Sequence, residues 1–186
     1  MHSILRPVSA ACAALLMASG AVRAQRPARV EFGVDAALNH VSYDLDPGSA
    51  SNTFFDFPAQ AIRIGFEMTP LIWLEPTLGI HSVSGDGGLS MIDFDIGVPI
   101  SLSGPVVPTA QQFFVRPLIG FRHESLTGEH SDTQTALGGG VGMRVHVSGR
   151  LTARFEGRYV HGLREGDFIK STNEVGLFAG VSFFTR

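Results

Sequence analysis

A histidine two residues from a hydroxyl, both on one face of an extended segment, allows the imidazole to take the hydroxyl proton and create a nucleophile. His123 and Ser125 have that spacing. The acid that would orient the imidazole is badly placed, because Glu124 has the opposite parity and Glu129 falls in an expected turn. His161 is followed two residues later by Leu163, so it has no hydroxyl to activate, although Glu174 opens the next extended segment. The seven histidines show neither H-x-H nor H-E-x-x-H spacing, and no metal site is read from them. A different chemistry suits the remaining charges. Glu67, Glu75, Asp93, Asp95, Arg116, Arg122, Arg144, Arg154, Glu156 and Arg158 occupy the polar positions of alternating runs. Both signs recurring on one parity are what a buried, self-neutralising salt-bridge network requires. The expectation is a structural charge network, with no catalytic, cofactor-binding or metal-binding residue assigned.

These residues are positioned by eight runs of period two. Val30, Phe32, Val34, Ala36 and Leu38 oppose Glu31, Gly33, Asp35 and Asn39. The second run, Phe54–Met68, sets Ile62, Ile64 and Phe66 against Arg63, Gly65 and Glu67. The third spans Ile72–Val83 and the fourth Ser90–Leu102, where Ile92, Phe94 and Ile96 oppose Asp93, Asp95 and Gly97. The fifth runs from Phe113 to Glu124, and the sixth centres on Gly138–Val147. The seventh sets Ala153, Phe155 and Tyr159 against Arg154, Glu156 and Arg158, and the eighth runs from Val175 to Phe183. Successive side chains of a strand point to opposite faces, so this alternation predicts strands. Helix fails because the apolar residues do not recur at three and four, and Gly138–Gly142 would unravel one. Short turns are expected at Thr69-Pro70, Gly104–Thr109 and Ser148-Gly149-Arg150. The other set, Asp44–Asn52, Gly85–Gly88, Thr127–Thr133 and Arg164–Thr172, is polar and more acidic. The result is an antiparallel meander of hairpins.

The N-terminus reads as an address. Arg6 precedes the apolar stretch Pro7–Ala18, and Val22 and Ala24 fit the −3 and −1 positions of a signal-peptidase site. The stretch is too short for a membrane-spanning helix. Residues 1–24 are therefore expected to be a cleaved signal peptide and 25–186 the exported domain. Cleavage removes Arg6, Arg23 and no acid, moving the formal charge from −3 to −5. The lone Cys12 lies in the removed segment, so disulfides are excluded from the exported domain. Thirteen arginines against one lysine, with no basic run, disfavour a nucleic-acid partner.

Period two does not say which face meets water. The polar parity mixes Arg, Asp, Glu, Gly, Thr and Ser, which suits a narrow interior where charges neutralise each other. The apolar parity carries almost no charge through the middle of any run, and each run is long enough to cross a bilayer. In lipid an open sheet edge would leave backbone groups unpaired, so the sheet must close. The expected fold is all-β, an eight-stranded antiparallel up-and-down transmembrane barrel; the alternative is a soluble, secreted lipocalin-like binding barrel. Gly138-Gly139-Gly140-Val141-Gly142-Met143-Arg144-Val145, followed by Ser148-Gly149-Arg150 and Leu151–Tyr159, resembles the small eight-stranded outer-membrane barrels of Gram-negative bacteria. That is the family of the OmpA transmembrane domain and OmpX. Val175–Phe184 is similar to its C-terminal assembly signal, except that here Thr185 and Arg186 follow the aromatic.

The resemblance implies location in the cell outer membrane with both termini in the periplasm. The implied partners are outer-membrane lipid, lipopolysaccharide and the barrel-assembly machinery; no surface partner is identified. It implies a structural or surface-contact role, because eight strands enclose an interior that side chains fill. Some members are lipid A deacylases with a His-x-Ser pair on the penultimate strand, and an acyl hydrolase is the alternative function. Leu163 stands where that serine would be. Asp86, Glu129, Asp132, Glu165 and Asp167 make the expected outer loops acidic, reading as solvated charge before loose bridging of divalent cations. Tyr43, Trp73, Phe121 and Tyr159 near run ends read as interfacial aromatic belts, although Trp73 also has the parity of the interior.

Overall fold

Alternation becomes strand throughout the computed structural model, which describes residues 29–45, 48–56, 62–83, 89–105, 111–126, 130–163 and 169–185. The expected signal segment and the Gly85–Gly88 turn lie outside the described residues. The strands are β1 (Val30–Leu45), β2 (Gly48–Asp56), β3 (Ile62–Glu67), β4 (Trp73–Val83) and β5 (Leu89–Gly97). They continue as β6 (Ile100–Ser101), β7 (Gln112–Leu126), β8 (His130–Ser148), β9 (Leu151–Leu163) and β10 (Ile169–Phe184). Each pairs antiparallel with its neighbour, and β10 returns to β1 along a ladder from Glu31↔Phe184 to Leu45↔Ile169. The sheet is a closed barrel.

Ten segments make eight staves. Both β2 and β3 pair with β1, and both β5 and β6 pair with β7. The second break falls at Val98-Pro99, where proline has no N–H to give a ladder. Pro99 still accepts the Trp73 N–H at 3.0 Å, and Val98 donates to Pro117 at 2.9 Å, so the wall stays hydrogen-bonded there. One lumen-facing row runs from Tyr43 through Thr172, Gly162, Ala136, Gly120, Asp95, Thr77 and Arg63 to Gly33. It returns to β1 ten residues from where it began. That stagger tilts the strands, and the small number of staves leaves an interior that side chains can fill.

Burial follows parity. Along β9 the even-numbered side chains are buried and the odd-numbered ones are half-buried or exposed. Outward positions carry Phe32, Leu38, Phe94, Phe121, Phe155, Val175 and Leu177, all exposed. Inward positions carry the charges. This distribution inverts that of a lipocalin-like barrel, whose apolar side chains line the interior.

Three of the expected turns are strand over much of their length. Asp44–Asn52 divides between β1 and β2, whose ladder reaches Leu45↔Gly48. Gly48 has a φ of 109°, a left-handed conformation that favours glycine. The end of Thr127–Thr133 belongs to β8, and Ile169–Thr172 belongs to β10. These segments are rich in Ser, Thr and Asn and lack an apolar parity, so their sequence reads as turn while the backbone stays paired. They prolong the wall at the end opposite the termini. Among the described residues β2 pairs with β1 alone.

Candidate functional site: the charged lumen

The lumen is occupied by a network that begins on β1. Glu31 is fully buried; its Oε1 accepts from Arg63 of β3 at 2.8 Å and its Oε2 from Arg144 of β8 at 3.0 Å. Arg63 also donates to both oxygens of Asp35, at 2.7 and 3.1 Å, and to Ser182 at 2.9 Å. On β4, Glu75 takes a two-pronged bond from Arg154 of β9, at 2.5 and 3.0 Å. Arg116 Nε lies 2.9 Å from Glu75, an ion pair in which the N–H is not aimed at the oxygen. Glu156 accepts from Arg154 at 2.6 Å and from Arg158 at 3.2 Å. Charged groups from six strands thus meet over a few ångströms.

Space for such long side chains comes from small residues facing them. A Cβ at Gly33 would collide with the Arg63 guanidinium, one at Gly97 with that of Arg116, and one at Gly140 with the Glu156 carboxylate. Aromatic rings fill the remaining gaps. Arg144 and Arg154 stack on Phe114 with 4.8 and 4.6 Å from guanidinium carbon to ring centre. Arg158 lies 3.8 Å over Phe178, and Trp73 meets Phe184 edge-to-face at 5.6 Å. Cation–π contact holds the planar guanidiniums without further carboxylates. The five arginines 63, 116, 144, 154 and 158 stand among five acids, Glu31, Asp35, Glu75, Asp95 and Glu156. Burial at this depth is tolerable only with such matching.

The ten residues assigned from sequence divide into three groups. Glu75, Arg116, Arg144, Arg154, Glu156 and Arg158 lie in the central network, with Asp95 at its edge, 3.8 Å from Arg158. Arg122 and Asp93 form a second cluster, completed by Glu174 at 2.5 Å from Arg122, and it is less deeply buried. Glu67 stands apart, pairing with the partly exposed Arg29 at 3.2 Å. Sequence reasoning left Glu31, Asp35, Arg63 and Glu174 out of the network, although their parity carried the same signal.

Trp73 is not a belt residue. It is fully buried in the lumen, because parity rather than nearness to a strand end decides which way a side chain points. Phe121 and Tyr159 are exposed on the outer wall.

The hydrolase alternative has no assembled site among the described residues. His123 Nδ1 lies 2.9 Å from the Thr133 hydroxyl, its register partner on β8. The side chains of Glu124 and Ser125, and Glu129 altogether, lie outside the described residues. His161 bonds the Asn173 carboxamide oxygen at 2.9 Å, and Leu163 is half-buried to exposed on the same face. No cluster of metal-ligating side chains occurs among the described residues.

The model of the outer membrane protein beta-barrel domain matches residues 10–183. The chain belongs to that family. As an outer membrane barrel it turns its apolar parity to hydrocarbon and its charges inward, which is the arrangement seen on the two faces of its wall. Solved outer membrane barrels share the fold. Neisserial surface protein A superposes with a TM-score of 0.58 at 16% identity, covering 85% of this chain and 99% of its own. OprG from Pseudomonas aeruginosa gives 0.53 at 11% identity, covering 87% and 97%. Ail, the attachment invasion locus protein of Yersinia pestis, gives 0.50 at 12% identity, covering 86% and 100%. No curated protein sequence matches this barrel.

Proposed function

We propose that this outer membrane barrel is a plugged, non-catalytic envelope protein. Its termini lie in the periplasm, and its prolonged hairpins make contacts at the cell surface. The observation that carries the reading is the lumen itself. Glu31, Arg63, Glu75, Arg116, Arg144 and Arg154 are each no more than 2% exposed, and each is ion-paired with another member of the set. A diffusion channel needs water along its axis, and a catalytic site needs groups left over for substrate. Further support comes from β2 beyond the wall, which among the described residues pairs with β1 alone, since a strand edge can accept an extended segment of a partner. Lipopolysaccharide is the partner along the outer face, and the barrel-assembly machinery reads Val175–Phe184 during insertion.

The test is a planar bilayer carrying the refolded protein, with lipid A hydrolysis measured on the same preparation. The reading expects no unitary conductance and no released fatty acid. Steady channels would overturn the plug. Acyl release abolished by His161→Ala or His123→Ala would establish the hydrolase instead.

A further inference from the structure

The outer wall carries a depression that the charge network does not explain. A groove of about 600 Å³ runs over β8 and β9, floored by Gly139 and Gly157 and walled by Val141, Tyr159, Val175 and Leu177. A second hollow of about 570 Å³ continues it, sharing Val141, Gly157 and Leu177. These two glycines differ from those of the lumen. A Cβ at Gly139 would meet nothing nearer than the Arg116 carbonyl oxygen at 3.5 Å, and one at Gly157 nothing nearer than Leu177 at 3.9 Å. Both are ordinary contacts, so neither backbone conformation nor packing forbids a side chain there. What the glycines provide is the hollow.

We propose that this groove seats one acyl chain of an outer-leaflet glycolipid, with the headgroup held at its upper end by Tyr159, His161 and Asn173. The proposal rests on the orientation given above, with the prolonged hairpins outside the cell. Family membership sets the groove against hydrocarbon, and its lining is almost wholly apolar, which suits a chain. Tyr159 links the groove to polar chemistry. Its ring is part of the wall, and its hydroxyl donates to Asn173 Oδ1 at 2.7 Å, the same oxygen that His161 Nδ1 bonds at 2.9 Å. With that oxygen used twice as an acceptor, the Asn173 amide is left as the N–H donor of the cluster, and His161, its Nδ1–H spent on Oδ1, offers Nε2 as an acceptor. A donor suits the phosphate and carbonyl oxygens of a glycolipid headgroup. Further polar groups, His40 bonded to Thr53 at 2.8 Å, continue this level on the adjoining strands.

The experiment compares lipid retention by native mass spectrometry, with lipid A and phosphatidylethanolamine as separate probes on the detergent-refolded, delipidated barrel. Wild type should keep one lipid A per chain. Gly139→Leu/Gly157→Leu, and independently Val141→Trp, should weaken that binding about tenfold or more by filling the groove. Both should leave heat-modifiability on gels and the thermal midpoint without lipid unchanged. Asn173→Leu should weaken lipid A and spare phosphatidylethanolamine. Equal lipid A retention by wild type and both filled variants overturns the proposal. A variant that loses phosphatidylethanolamine but not lipid A overturns the glycolipid assignment. Cross-linked dimers that the filled variants abolish would assign the groove to a second copy instead, and so overturn it. Orientation is tested separately by surface labelling at position 51, so a failure of that reading is distinguishable from a failure of the groove.

Discussion

Replacing Arg154 with leucine removes a cation that ties three acids of the lumen together. The guanidinium donates twice to Glu75 and once to Glu156, lies over the Phe114 ring and is 2% exposed. Deleting one partner of a buried pair costs about 3–5 kcal/mol, because a charge is left without its counter-ion. Glu75 keeps Arg116 at 2.9 Å, Arg63 at 3.6 Å and Arg144 at 3.7 Å, which places Arg154→Leu near the lower end, about 3 kcal/mol. Glu75→Leu should cost a similar amount, since it leaves an excess cation. The double variant restores the balance of signs with apolar groups, so it should cost less than the two singles together, by about 1–3 kcal/mol of coupling. Urea unfolding in lipid vesicles measures all four proteins. Trp73, the single tryptophan, is buried in the lumen and reports the loss of packing by its fluorescence. An unchanged midpoint for Arg154→Leu, or singles that add without coupling, would refute the argument that buried charge matching holds the interior together.

Glycine substitutions should split by face. Gly142→Val, where a Cβ would strike the Phe155 carbonyl and the Phe114 ring, should abolish the heat-modifiable folded band, whereas Gly139→Ala should shift stability by less than about 0.5 kcal/mol in the same assay. Trp73→Ala should cost about 3–5 kcal/mol by urea titration, read by circular dichroism, because it empties the space against Phe184. The exposed-side pair behaves differently: Arg29→Ala should change stability by less than about 1 kcal/mol, since Arg29 is partly in solvent. In intact cells an impermeant maleimide should label Ser51→Cys in the β1–β2 hairpin and not Gly149→Cys in the short turn; the reverse pattern would invert the proposed orientation.

Which residues share a face was settled by period two, and period two is written in the sequence. Leu38, Phe94 and Phe155 had to lie opposite Asn39, Asp95 and Glu156 whatever sheet they joined, because a pleated backbone alternates its side chains. The same logic named Arg116, Arg144 and Arg154 as companions and would have included Glu31 and Arg63 had every member of the parity been kept. It failed where polar residues fill both faces of a strand, as in Gly48–Asn52 and Ile169–Thr172, since alternation there has no apolar partner to reveal it. Pairing was beyond its reach. That Arg63 meets Glu31 and Asp35, or that Arg154 grips Glu75 across the lumen, depends on the ten-residue stagger with which the sheet closes. Stagger is a property of the whole circuit of hydrogen bonds, fixed only when β10 docks on β1. The groove over Gly139 and Gly157 arose in the same way, from two glycines on different strands that closure and register bring side by side.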